Sequence, residues 1–181
     1  MEKLLVTKGL EVFMDYGDKI MIIKDDITRQ QVDVIVNAAN KKLAGGGGVD
    51  GAIHRAGGPE MMQELKAKYK GCPVGEARKT KAYKLPAKFV YHAVGPVWQG
   101  GKNNEDELLR YAYSYCYDLM YIDNFKTIAF PAISCGVYTF PLKRAAKIVK
   151  KITLEKLKEH KQIEKIIFCL FFREEYSTAH F

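Results

Sequence analysis

The sequence predicts an α/β sandwich with a largely parallel or mixed sheet, on two observations. Five short β-branched runs are apolar for their length, without the polar alternation of a half-exposed strand. Four stretches of helical periodicity separate them, and the last two are long enough to cover a sheet face.

In chain order, the first strand is expected at Lys19 to Lys24 and the second at Val32 to Val36. A helical pattern follows over Asp50 to Ala56 and another over Pro59 to Tyr69. Phe89 to Val94 reads as the third strand. Glu105 to Ile122 reads as a long helix, in which Trp98 nearby and the aromatics from Tyr111 to Tyr121 are packing residues. Thr127 to Phe130 is the fourth strand and Ile166 to Phe171 the fifth. Between those two, Leu142 to His160 carries Ala145, Ile148, Val149, Ile152 and Leu157 at helical spacing. Seven lysines between Lys147 and Lys165 then fall on the opposite face, which reads as a solvated surface.

At roughly 150 residues per domain, the 181 residues make one domain, taken as 1–181. The balance of 48% hydrophobic and 28% charged residues excludes disorder as the main state. The longest apolar run, Ile166 to Phe172, is far short of the roughly 18 residues a bilayer crossing needs. No signal-type segment opens the sequence, so a cytoplasmic protein with no membrane partner is expected. Cys72, Cys116, Cys135 and Cys169 are too scattered for a zinc ribbon, and His54, His92, His160 and His180 form no metal signature. No metal and no cofactor is expected. The net charge of +8 favours anionic partners such as phosphates or nucleic acid.

In such sheets ligands bind beyond the carboxyl ends of the strands, so the segments after Val36, Val94 and Phe130 are the places to look. After Val36 comes Asn37-Ala38-Ala39-Asn40, then four consecutive glycines, Gly45 to Gly48, then Val49-Asp50-Gly51. The glycines permit close backbone approach and positive φ, and they lead into a helix N-terminus, an anion site by geometry and dipole. Phosphate is the natural guest. Gly46 to Gly51 matches a dinucleotide fingerprint literally, but the loop starts too far from its strand and Gly71 stands where the acid should be. A P-loop fails because Ala52 and Ile53 follow Gly51. The second loop, Ser134-Cys135-Gly136-Val137-Tyr138, suits a second phosphate or ribose clamp. Asn37 and Asn40 suit ribose hydroxyls, and Asp50, an acid beside a phosphate cradle, is the candidate for orienting or activating water.

Taken together, Asp26-Ile27-Thr28, Val34 to Asn40, Gly45 to His54, Leu85-Pro86-Ala87, His92 to Pro96 and Phe130 to Tyr138 resemble the macro domain family, specifically its MacroD-type ADP-ribose hydrolases. The resemblance covers nearly the whole chain. It implies a three-layer α/β/α sandwich with a mixed six-stranded sheet and an ADP-ribose cleft across its top. It implies hydrolysis of the ester between ADP-ribose and a protein Asp or Glu, and deacetylation of O-acetyl-ADP-ribose, without a metal. Carried over by motif, Asp26 accepts from the adenine amino group with Ile27 beside the ring, and Asn40 holds the distal ribose. Gly47, Gly48 and Val49 line the phosphates, and Ser134 to Tyr138 close over them. Asp50 and Asn40 place the ribose and a water, with the proton going to Asp50 or to the substrate's own phosphate. Tyr176, or else Phe172, stacks on adenine.

Three positions depart from the family pattern: Cys135 for Thr, Thr139 for Gly, and Lys24-Asp25 where a Gly precedes Asp26. The second loop should be stiffer for the lost glycine. Cys135 reads as a small loop residue rather than a nucleophile, having no His in its motif. His54, one turn after Asp50, either steadies that carboxylate or is an ordinary histidine. His92 reads as a satisfied core residue. Asn37 either touches ligand or ties the loop backbone together. The partners implied are ADP-ribose and ADP-ribosylated proteins. A non-catalytic ADP-ribose reader and a nucleic-acid-binding module are the two alternatives.

Overall fold

The computed structural model describes residues 6–7, 10–15 and 17–170. Eight strands, β1 (Val6–Thr7), β2 (Leu10–Asp15), β3 (Ile20–Lys24), β4 (Val32–Ala38), β5 (Ala77–Lys81), β6 (Ala87–Ala93), β7 (Thr127–Phe130) and β8 (Lys165–Leu170), form one sheet. Four helices, α1 (Gly48–Gly57), α2 (Pro59–Lys68), α3 (Glu105–Ile122) and α4 (Leu142–Glu159), cover it.

The strand order is β1-β2-β3-β8-β7-β4-β6-β5. The run from β3 to β5 is the expected mixed six-stranded sheet: β3, β8, β7, β4 and β6 are mutually parallel, and β5 runs antiparallel to β6. The hairpin β1-β2 adds to it antiparallel at β3, which the sequence reading did not anticipate. Nor did it find β5. Ala-Arg-Lys-Thr-Lys lacks an apolar run because it is an edge strand, buried through Ala77 and Thr80 alone, and its charges discourage edge-to-edge pairing. The first strand begins at Ile20 instead of Lys19, since Gly17–Lys19 is a 3-10 turn, and β4 runs two residues past Val36.

Alternate residues of each central strand point to opposite faces, as a pleated backbone requires. Val34, Val36, Ile128, Phe130, Ile166 and Phe168 pack with Leu109, Tyr113, Tyr117 and Ile152 of α3 and α4. Ile35, Ala129, Ile167 and Cys169 pack with Ile53 and Met61 of α1 and α2. The sandwich is therefore three-layered, and strands buried on both faces explain the apolar runs. Because five strands run the same way, the loops after β3, β4, β6 and β7 emerge on one edge.

Three cysteines, Cys72, Cys116 and Cys169, are buried, and burial pushes all three thiols up, Cys72 to about 11. Cys135 is half-buried on the loop after β7. Among the described residues no helix is long and apolar enough to cross a membrane.

Candidate functional site

The loop after β4 is held shut by Asn40. Its amide nitrogen donates to the carbonyl of Gly45 at 2.9 Å, and its Oδ1 accepts from the backbone of Lys42 at 3.1 Å and Ala44 at 3.3 Å. Leu43, at φ +53°, is driven into the small core beside Leu65 and Val94. Past this clasp the glycines come free of the protein: a Cβ on Gly47 or Gly48 would meet nothing within 4 Å. Their absent side chains leave open space over the N-terminus of α1, where Gly47 is the N-cap and Gly48 takes φ +56°. Backbone N–H groups at such an end attract an anion.

Asp50 lies in the first turn of α1 and is 6% exposed. Its Oδ1 accepts from Asn37 Nδ2 at 2.7 Å and lies 3.4 Å from His54 Nε2, one turn along the helix. Asn37 is fully buried in β4, so it neither ties the loop backbone nor reaches the surface; the clasp is Asn40's. His54 stands at the carboxylate, as one of its two readings required. His92 is indeed a satisfied core residue: Nδ1 lies 3.1 Å from Asn37 Nδ2 and Nε2 lies 2.9 Å from Thr80 Oγ1. Burial, helped by neighbouring His54, pushes its pKa down to about 3, so the ring is neutral.

At the end of β3, Asp26 caps a 3-10 turn, its Oδ1 accepting from the backbone and hydroxyl of Thr28. Asp26 is exposed and Ile27 is buried in the core on the α1 side. Phe172 and Tyr176 lie outside the described residues.

The loop after β7 is built on strain. Ser134 sits at φ +67° and Thr139 at φ +55°, the left-handed region where side chains cost energy. Thr139 N donates to Gly136 O at 2.9 Å and Phe140 N to Ser134 O at 3.0 Å, curling Cys135 to Tyr138 outward, with Val137 92% exposed. Ser134 is buried and its Oγ has no hydrogen-bond partner among the described residues. It packs so tightly on Gly95 that a Cβ there would come within 2.2 Å of Ser134 Oγ.

Three supports of this edge were not legible in the sequence. Tyr113 of α3 sends its hydroxyl to Pro131 O at 3.1 Å and accepts from Ile133 N at 3.2 Å, pinning the root of the second loop. Glu105 accepts from the backbone of Gln99, Gly101 and Asn103, which closes the loop after β6; these donors outweigh desolvation and hold its carboxyl below the usual range. Thr80 seats His92. Tyr113 and Thr80 act through contacts distant in sequence, which no local pattern encodes, while Glu105 gathers backbone donors from the six residues before it. A cavity of about 520 Å³ opens between the loops after β4 and β6, with Asn40 and Tyr138 in its wall alongside Lys41, Lys42, Val97 and Leu108. Asp26 and Gly47 to Val49 are not part of its wall.

The Macro domain family model matches residues 36–149. A macro domain-containing protein of Caldanaerobacter subterraneus subsp. tengcongensis is 52% identical over 164 residues, covering 89% of this chain and 93% of its own length. An O-acetyl-ADP-ribose deacetylase of Escherichia fergusonii is 48% identical over 159 residues, covering 86% and 90%. The Trypanosoma brucei macrodomain solved in complex with ADP-ribose superposes with a TM-score of 0.83 at 40% identity, covering 88% of this chain and 67% of that one.

Proposed function

The chain belongs to the macro domain family, and from that premise we propose that it binds ADP-ribose along the carboxyl edge of its sheet and hydrolyses esters of its distal ribose. The substrates are ADP-ribose linked to Asp or Glu side chains of proteins, and O-acetyl-ADP-ribose. The observation that carries this reading is Asp50: a carboxylate tucked under an open glycine loop and held at 2.7 Å by a buried amide. A reader of ADP-ribose needs the loop but has no use for an acid beneath it.

In the bound state adenine lies at Asp26 and Ile27, against Tyr176 or Phe172. The diphosphate rests on the backbone of Gly47, Gly48 and Val49, under the arch of Ser134, Cys135, Gly136, Val137 and Tyr138. The distal ribose sits at Asn40. Water adds to the acyl carbon, and its proton goes to Asp50 or to a phosphate oxygen of the substrate. As the ester bond breaks, the ribose oxygen takes a proton, leaving ADP-ribose and a free carboxylic acid. His54 steadies Asp50 from within α1. The cavity beside Asn40 has room for the acyl-bearing residue of a modified protein, with Lys41 and Lys42 suited to acidic neighbours. We place this activity in the cytoplasm.

The test is release of ADP-ribose from a glutamate-linked, mono-ADP-ribosylated protein and of acetate from O-acetyl-ADP-ribose. Asp50→Ala should lower both rates by about a hundredfold or more while still binding ADP-ribose, the loss expected for a positioned acid–base group. No release by the wild type from either ester would make the protein a reader.

A further inference from the structure

A buried chain of hydrogen bonds leads from Asp50 away from the open loops and into the sheet. Its members lie on three adjacent strands: Asn37 on β4, His92 on β6 in register with it, and Thr80 on β5, opposite Val90 and so diagonal to His92. All three are 0% exposed. Burying three polar side chains between a sheet and a helix is costly unless every contact has a use.

The direction of each hydrogen bond follows from the one before. A carboxylate oxygen only accepts, so Asn37 must turn its amide nitrogen toward Asp50 Oδ1, 2.7 Å away. That same nitrogen lies 3.1 Å from His92 Nδ1. Nδ1 must therefore be the bare, accepting nitrogen, and the ring's single proton must be on Nε2. From there it is donated to Thr80 Oγ1 at 2.9 Å. Among the described residues nothing holds the other side of the amide, where Asn37 Oδ1 is buried without a partner. The two contacts of its nitrogen are what set its orientation.

We propose that Thr80 and His92 are positioning residues which, through Asn37, fix the Asp50 carboxylate in the orientation the reaction uses. This rests on the hydrolase reading above. With the proton on Nδ1 instead, an N–H of the ring would face the N–H of the amide. The amide would turn over and set its oxygen against the carboxylate, a repulsive contact in place of a donor. The location of one imidazole proton, on the strand beside Asn37, thus decides whether Asp50 is held or displaced.

Two measurements test this. The nitrogen shifts of the imidazoles in a 1H–15N spectrum identify the tautomer, and His92 should be the Nε2–H form from pH 5 to 8. An Nδ1–H ring overturns the proposal whatever the activity, and keeps it falsifiable if a variant does not fold. The second measurement compares Thr80→Val with Thr80→Ser for kcat and for ADP-ribose affinity by calorimetry. Thr80→Val should lose about tenfold in kcat, the worth of one buried hydrogen bond, with Kd within about twofold of wild type. Thr80→Ser keeps the accepting oxygen and should retain both. An active wild type with an unaffected Thr80→Val, or equal losses of kcat and affinity in both variants, overturns the positioning role alone. A wild type that releases nothing from either ester overturns the hydrolase reading first and the positioning role with it.

Discussion

Asn37 and Asn40 stand three residues apart and do opposite work. Asn40 folds the loop around its own amide; Asn37, on a strand that runs two residues longer than its apolar run suggests, faces inward and holds the acid. The chain pattern shows two amides near a glycine run, and only the register of β4 against β6 says which one reaches Asp50. Thr139 is a case where the resemblance stated from the sequence and the backbone point the same way. The position where the resemblance implies glycine has φ +55°, and a β-branched residue there is strained by about 1–2 kcal/mol. Thr139→Gly relieves that strain and loses part of the gain to unfolded-chain entropy. Chemical denaturation should show stability unchanged or raised by up to about 1 kcal/mol; a clear loss would mean that the threonine side chain stabilises the loop by a contact of its own.

At the level of elements, the parallel pairing of β4 with β7 is pinned at its start by a reciprocal clasp. Asp33 Oδ2 accepts from the backbone of Lys126 and Thr127 and from the Thr127 hydroxyl, while Asp33 N donates to Thr127 Oγ1 at 2.7 Å. Desolvation raises the Asp33 pKa, but the Lys88 ammonium and these donors outweigh it and the net shift is downward from 3.8. A depressed carboxyl contributes stability that is present above its unfolded pKa and lost as pH falls through the folded value. Asp33→Asn should therefore cost about 1.5–3 kcal/mol at pH 7, the range for a hydrogen bond to a charged group. The gap between variant and wild type should close below about pH 3.8, as read from denaturation midpoints across pH. A gap independent of pH would assign the loss to shape instead of charge. Element by element, the buried strands and both long helices were legible because burial on two faces, or on one, leaves its period in the sequence. The polar edge strand β5 leaves none, and it carries Thr80.

Across the whole molecule, the candidate cleft was legible because its chemistry is local: glycines, amides and an acid within one loop. Much of what supports the cleft was not, because Tyr113 and Thr80 meet their partners only once the sheet has formed. The excess of basic side chains has the same two-sided character; most of it lies on α4, while Lys41 and Lys42 flank the cavity. The distribution of the four cysteines, finally, makes the protein selectively addressable by thiol chemistry. Cys72, Cys116 and Cys169 are buried and held protonated, whereas Cys135 is half-buried, on the very loop proposed to arch over the diphosphate. A maleimide dye at neutral pH should attach at one position per native molecule, confirmed by intact mass and peptide mapping. Such a dye would report loop movement on ADP-ribose addition without any engineered cysteine.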